Sequence, residues 1–217
     1  MGHVEEEVSD NKVFGAAYFE KEVADNINGL ANYYEKQKIG SIEVADRIED
    51  ITDIHRGRSN VLEVGCAFGQ TVMQLRHRGY PAYGCDISEY SITMARTRHT
   101  APVFVADLES TAFLDTVREQ TAYPAFDLLF SCITLEHIHP ENVPDVIARL
   151  YALTKPGGMN YHAIDLFKGD DITHYCIMPR EWWIDRFIDA GFIPMPVSAE
   201  GVRLNWFLFK KQEAVNG

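Results

Sequence analysis

Residues Val61 to Gln70 read Val-Leu-Glu-Val-Gly-Cys-Ala-Phe-Gly-Gln, an apolar run with one acid, Glu63, that passes directly into Gly65 and Gly69. Such a stretch reads as a strand that ends in a turn and opens a helix. The two glycines let the backbone turn with positive φ and approach a ligand with no Cβ between, and the following helix offers unpaired N–H groups at its N-terminus. Tyr83-Gly-Cys-Asp-Ile-Ser88 supplies a second strand, whose terminal acid Asp86 lies 21 positions after Gly65. That is the interval at which a Rossmann-like unit offers a carboxylate to a ribose. Asp86 also stands where an acid would cap the next helix. Together these features predict an α/β sheet that cradles a nucleotide.

From Asn60 onward strand and helix patterns alternate. Strands are predicted over 60–65, 81–86, 102–106, 126–131 and 158–164, and helices over 69–78, 88–98, near 110–120 and over 141–153. Such alternation demands parallel strands joined by right-handed crossovers, with the ligand beyond their carboxyl ends near the point where strand order reverses. After a long connection, a helix over 179–190 leads to strands over 193–198 and 202–210. The short turn Ala199-Glu-Gly201 makes these last two antiparallel. Upstream, Ile42, Ala45, Ile48 and Ile51 recur at helical spacing, so Ser41 to His55 is predicted to be an amphipathic helix with Ser41 as N-cap. Residues 1–15 are polar, acidic and aperiodic, which predicts a disordered start. Tyr18–Asp25 and Leu30–Glu35 carry aromatics in broken amphipathic segments.

In the order of its motifs the chain resembles the class I S-adenosylmethionine (SAM)-dependent methyltransferases, from about residue 40 to about residue 210. The family's glycine-rich motif is matched by Glu63, Gly65 and Gly69, its ribose acid by Asp86, and its adenine-binding acid by Asp107 in Val103-Phe-Val-Ala-Asp-Leu108. Its fourth-strand motif is matched by Phe126 to Ile138, and its turn before strand five by Leu153-Thr-Lys-Pro-Gly-Gly158. Ala67 departs from the pattern, because many members carry a third glycine there. The resemblance implies a Rossmann-like, seven-stranded, mostly parallel sheet with an antiparallel C-terminal hairpin and helices on both faces. It divides the chain into an acidic tail and lid segment over 1–40 and a methyltransferase domain over 41–217. The implied cofactor is SAM, with S-adenosylhomocysteine (SAH) as product. The implied cofactor site comprises Glu63, Gly65, Cys66, Ala67, Gly69, Asp86, Ile87, Asp107, Leu108, Ser131 and Cys132. Glu63 would stand toward the methionine end or satisfy the turn as a buried acid. Asp107 would accept from the adenine amine or cap the next helix.

Composition narrows the remaining choices. With 217 residues, of which 46% are hydrophobic and 24% charged, the chain suffices for one substantial core. Its net charge of −12 argues against a nucleic-acid backbone as substrate and favours a neutral or cationic small molecule. No apolar run approaches the roughly 20 residues of a membrane span, and the acidic start Met1 to Glu7 is unlike a signal peptide. A cytoplasmic protein without membrane contact is therefore expected. Cys66, Cys85 and Cys132 fall at or just past the carboxyl ends of predicted strands, too scattered for a zinc motif, and read as small apolar residues in a reducing compartment.

The acceptor side is predicted from groups that can take up a proton. His137, in a Leu-Glu-His-Ile run similar to small-molecule methyltransferases of quinone and sugar pathways, either faces the acceptor or packs beneath its loop. His139 precedes Pro140 and reads as a surface residue. The stretch from Ile164 to Trp183 is long, aromatic and charged, which marks a substrate loop, and places Asp165 and His174 as further candidates for catalysis. One of Trp182 and Trp183 is expected in the core. The histidines and Asp165 suit a divalent cation in kind, but their spacing matches no metal motif, so no metal site is predicted. The function expected is methyl transfer to oxygen or nitrogen of a small molecule, with a sugar or nucleotide sugar as candidate acceptor. The alternatives are methylation of a macromolecule and a non-catalytic domain that binds SAM or SAH. A nicotinamide-dependent oxidoreductase shares the first two motifs but leaves Lys155-Pro-Gly-Gly158 and the hairpin unexplained. Monomer and homodimer both remain open, since the N-terminal aromatics can pack in cis or across a dimer.

Overall fold

Strands β1 (Val61–Val64), β2 (Ala82–Asp86), β3 (Val103–Val105), β4 (Phe126–Cys132), β5 (Thr154–Ile164), β6 (Phe192–Met195) and β7 (Asn205–Lys211) form one sheet in the order β3-β2-β1-β4-β5-β7-β6. The first five strands run parallel, and β7 lies antiparallel to both β5 and β6. Among the described residues, helices α1 (Tyr33–Ile51), α2 (Gln70–His77), α3 (Glu89–Arg98), α4 (Phe113–Thr121), α5 (Val143–Leu153) and α6 (Arg180–Asp189) connect or flank them. The computed structural model describes residues 13–19, 33–167, 169, 171–197 and 205–213.

The period of two in the strands divides the core between the two faces. Val61, Leu128 and Phe130 pack with Ile48 of α1, Leu75 of α2 and Ile92 of α3. Their neighbours in the strands, Leu62, Val64 and Leu129, pack on the other face with Val117 of α4, Leu150 of α5 and Trp183 and Phe187 of α6. Each of these fully buried side chains contributes roughly 1.5–3 kcal/mol relative to exposure. Trp183 is fully buried whereas Trp182 is only partly so, which places one tryptophan in the core as expected.

Local chemistry sets the helix starts. Ser88 caps α3, its hydroxyl accepting the Ser91 N–H at 3.1 Å. Asp86, offered by the sequence as a possible cap, lies two residues earlier and leaves that task to Ser88. Pro144 occupies the first turn of α5, where a missing N–H costs nothing.

The starts of α1 and β5 differ from those predicted. The helix expected to begin at Ser41 begins at Tyr33, so α1 is continuous across residue 40. Ser41 lies inside it, buried, its hydroxyl donating to the Lys38 carbonyl at 2.8 Å. Ile42, assigned to the buried stripe, is exposed, and Ser41, Ala45 and Ile48 form the inward face. Strand β5 begins at Thr154 rather than 158, and the Lys-Pro-Gly-Gly turn survives as an irregularity within it. Phe126 pairs with Thr154, but Leu128 pairs with Met159, and Gly157 takes φ +75°. The predicted turn over 199–201 and most of the predicted disordered start lie outside the described residues.

Candidate active site

The strand order reverses between β1 and β4, and a cleft opens at the carboxyl ends of β1 to β4. Its floor is the turn after β1, where Gly65, Ala67 and Gly69 all take left-handed backbone, with φ of 70°, 44° and 66°. A Cβ at Gly65 would overlap the Thr134 side chain, so the turn packs closely on the loop after β4. Ala67 adopts a conformation that favours glycine, which explains physically why a glycine is common at that place in the family it resembles. Gln37 of α1 holds the turn from outside, its amide donating to the Cys66 carbonyl at 2.9 Å and accepting the Phe68 N–H at 3.2 Å.

Asp86 ties this turn to the next strand. One carboxylate oxygen accepts the Ala67 N–H at 2.7 Å and the other accepts the Ser88 N–H at 2.8 Å. Burial pushes its carboxyl above the usual range, opposed by those two backbone bonds. Ile87 and the segment Ala106-Asp107-Leu108-Glu109 after β3 continue the wall. Asp107 accepts the Glu109 N–H at 2.8 Å, an Asx-turn that shapes the bend after β3. Ile133, Thr134, His137 and Ile138 form the wall after β4. Ile133 is β-branched yet has φ +54°, a strained conformation found where a site over-determines the backbone.

A last wall comes from the N-terminal part of the chain. Phe14, Tyr18, Phe19 and Tyr33 line the cleft, and Phe19 packs on Phe68 with ring centroids 5.1 Å apart. The Ser88 hydroxyl donates to the Phe14 carbonyl at 2.6 Å, and Phe14 meets the edge of His137 at 5.3 Å.

A family model described as a methyltransferase domain matches residues 61–158, the segment that carries the floor of this cleft and every wall except the N-terminal one. That segment is therefore similar to a methyltransferase domain. Among curated relatives, the human tRNA N(3)-cytidine methyltransferase METTL2B is 30% identical over 137 residues, covering 57% of this chain and 33% of that protein. The chain spans between about a third and about half of the length of the curated relatives it matches first. Among solved structures, magnesium protoporphyrin IX methyltransferase (ChlM) from Synechocystis PCC 6803 with bound SAH superposes with a TM-score of 0.68 at 15% identity, covering 94% of this chain and 98% of that one. SAM-bound CalS10, an amino pentose methyltransferase from Micromonospora echinaspora, superposes with a TM-score of 0.61 at 16% identity, covering 88% and 96%. These two likenesses concern the fold.

The cleft suits an adenosyl ligand in its donor set. Each Asp86 oxygen uses one lone pair on a backbone N–H and keeps another for a ribose hydroxyl. Gly65, Ala67, Asp86, Ile87, Asp107 and Leu108 of the predicted cofactor residues line the cleft, and the other five do not. Glu63 is 2% exposed and lies behind the turn. Thr71 and the Val72 N–H at the start of α2 face its carboxylate, while Oε2 has no partner. Burial pushes its carboxyl well up. Cys66 turns its thiol toward Gly84, and Gly69 serves as the left-handed N-cap of α2.

Ser131 lies apart from the cleft lining. Its hydroxyl lies 2.8 Å from Nδ1 of His162 in the interior of the sheet, because residue 131 pairs with residue 162 across β4 and β5. His162 Nε2 in turn lies 3.3 Å from Oδ1 of Asn160, whose amide donates to Thr154 Oγ1 at 2.7 Å. Cys132 is half-buried beside this region and outside the cleft wall, with its thiol pushed up to about 12 by burial. Cys66, Cys85 and Cys176 are buried free thiols, all shifted upward for the same reason.

Of the predicted catalytic residues, His137 lines the cleft, His174 packs against it with ring centroids 4.8 Å apart, and Asp165 stands away from the wall. Asp165 accepts the Phe167 N–H at 3.0 Å, and its own N–H donates to Glu136 Oε1 at 3.0 Å. Glu136 is fully buried, and its carboxyl is pushed up to about 8 by desolvation. His139 stacks on Tyr175 at 4.1 Å. The residues missing from the sequence reading are Asp171 and Thr173. Asp171 accepts the Thr173 N–H at 2.9 Å and the Thr173 hydroxyl at 2.6 Å, and the signal for it was the Asp-x-Thr pattern of an Asx-turn. Among the described residues no group of three His, Cys, Asp or Glu is arranged to hold a metal ion, and no helix is long and apolar enough to cross a membrane.

Proposed function

We propose that this protein transfers the methyl group of SAM to an oxygen or nitrogen of a small molecule. The observation that carries the reading is the joint lining of one cleft by the β1 turn, Asp86, Asp107 and His137, closed on its open side by Phe14, Tyr18, Phe19 and Tyr33. SAM supplies an activated methyl group on a positively charged sulfur, so little is asked of the chain beyond binding and alignment. Asp86 holds the ribose, Asp107 and Leu108 hold the adenine, and the turn at Gly65 to Ala67 carries the amino-acid end. The lining bears acids and aromatic rings and, among the described residues, no Lys or Arg. This supports a neutral or amine-bearing acceptor such as a sugar over one that carries phosphates, including a nucleotide sugar.

Calorimetric titration with SAM, SAH and NAD, repeated with Asp86→Ala, tests the cofactor reading. Micromolar binding of both adenosyl ligands, lost in the variant and absent for NAD, supports it; no binding of either ligand overturns it. Acceptors are then screened by the mass of the methylated product.

A second reading is methylation of tRNA, the activity for which the human relative is named. The excess of 32 Asp and Glu over 20 Lys and Arg weighs against a polyphosphate substrate. Incubation of total tRNA with methyl-labelled SAM decides it, since label in the RNA favours this reading over the first.

A further inference from the structure

The hydrogen bonds around His137 fix which of its nitrogens carries the proton. Nδ1 lies 3.0 Å from the Thr173 carbonyl and 3.0 Å from the Thr173 hydroxyl oxygen. A carbonyl only accepts. The hydroxyl has one hydrogen, and at 2.6 Å that hydrogen is committed to Asp171 Oδ1. Both groups therefore present lone pairs to Nδ1, so Nδ1 bears the hydrogen in the neutral ring. Nε2 then carries a lone pair, has no hydrogen-bond partner among the described residues, and belongs to a ring that lines the cleft.

Resting on the methyltransferase reading above, we propose that Thr173 and Asp171 are positioning residues that hold His137 as its Nδ1–H tautomer, so that Nε2 accepts a proton from the methyl acceptor. The acceptor must then bring a hydrogen on its reacting atom, as a hydroxyl or an amine does and a carboxylate does not. As the acceptor's oxygen or nitrogen forms its bond to the methyl carbon, the sulfur keeps the electron pair of the bond that breaks and the acceptor's proton passes to Nε2. The ring is then positive, and its Nδ1–H points through Thr173 at the Asp171 carboxylate, which offsets the charge. Burial and His174 hold His137 down to about 4, so the lone pair is present throughout the neutral range. The titratable groups facing it are His174 and Asp171, with the Tyr18 hydroxyl behind Asp171 at 3.2 Å and the Phe14 ring on the other edge.

The sheet provides an internal reference. Asn160 turns its amide toward Thr154, whose hydroxyl donates to the Leu150 carbonyl, so Asn160 Oδ1 accepts from His162 Nε2–H and His162 Nδ1 accepts from Ser131. His162 is thus the opposite tautomer.

A two-bond proton–nitrogen correlation spectrum of the full chain labelled with nitrogen-15 histidine reads both rings at pH 7, with His137 assigned by loss of its signal in His137→Gln. The expected result is Nδ1–H for His137 and Nε2–H for His162 in one spectrum. A His137 signal of the Nε2–H type, or an averaged mixture, overturns the proposal. Asp171→Ala is expected to turn His137 into a mixture while leaving His162 unchanged, and Thr173→Ser, which keeps the hydroxyl, is expected to retain the wild-type pattern. An unchanged His137 in Asp171→Ala sinks the role of Asp171. If His162 is also lost, the variant has unfolded, and Asp171→Asn takes its place with the same criteria. Binding of SAH is followed separately, so loss of the cofactor reading is distinguished from loss of this one.

Discussion

Tyr18 and Asp171 stand 153 positions apart in the chain, and the hydroxyl of the first donates to Oδ2 of the second at 3.2 Å. The bond joins the N-terminal aromatic wall to the loop that orients His137. With the Ser88 hydroxyl holding the Phe14 carbonyl, it gives residues 13–19 one attachment on each side of the cleft.

Tyr18→Phe removes that attachment and keeps the ring. A partly exposed hydrogen bond to a carboxylate is worth about 1 kcal/mol. The variant is expected to bind SAH about three- to tenfold more weakly by calorimetry, with an unfolding midpoint lowered by under about 4 °C. Unchanged SAH affinity would mean that the aromatic wall forms without the bond.

Gly65→Ala places a methyl group into the Thr134 side chain at a backbone conformation that disfavours it. Overpacking and positive-φ strain together cost about 2–3 kcal/mol, a fall of about 5–10 °C in Tm, and SAH binding is expected to be lost with the shape of the turn. The double variant with Thr134→Ala should regain part of the Tm but not all, because only the overlap is relieved. Strict additivity of the two changes would refute a contact origin.

Burial holds the His162 imidazole down to about 3, below its unfolded value near 6.5. Its neutral form contributes fully to stability above pH 6.5, and that contribution is lost as pH falls toward the folded value. In denaturant titrations the stability of the wild type relative to His162→Gln is therefore expected to drop by about 1.4 kcal/mol between pH 7.5 and 5.5. A pH-independent difference would place the histidine in contact with water.

Glu136 behaves in the opposite sense. Its carboxyl is pushed up to about 8, so between its unfolded value near 4.3 and that point the folded state holds a proton that the unfolded chain has released, and stability falls as pH rises. Glu136→Gln keeps an acceptor for the Asp165 N–H and does not titrate. It is expected to gain about 4 kcal/mol on the wild type between pH 5 and pH 8.5, read from the same titrations, and a constant gap would disprove the burial of a protonated acid.

The parallel sheet and the cleft at its edge were legible in the chain because the glycine turn, Asp86 and Asp107 each sit at a strand end, where local chemistry and fold agree. The start of α1 was not. Ser41 read as an N-cap, yet it satisfies its hydroxyl within the helix and does not begin it. The interior partner of Ser131 was not legible, because proximity to a strand end says nothing of the partner across the sheet. Asn160 and His162, polar at alternate positions of a buried strand, were the available sign of an interior network. Asp171 and Thr173 were passed over because their importance comes from His137, which only the fold brings near.

Burial of the cysteines has a practical consequence for anyone wishing to label the protein. Cys66, Cys85 and Cys176 are inaccessible, and Cys132, though half-exposed, forms almost no thiolate at neutral pH because its thiol is pushed up to about 12. An engineered cysteine on the exposed face of α1, for example at Ile39, would be the fast-reacting nucleophile toward a maleimide dye without removal of the native ones. A fluorophore there would report on movement of the neighbouring aromatic wall as ligands enter and leave.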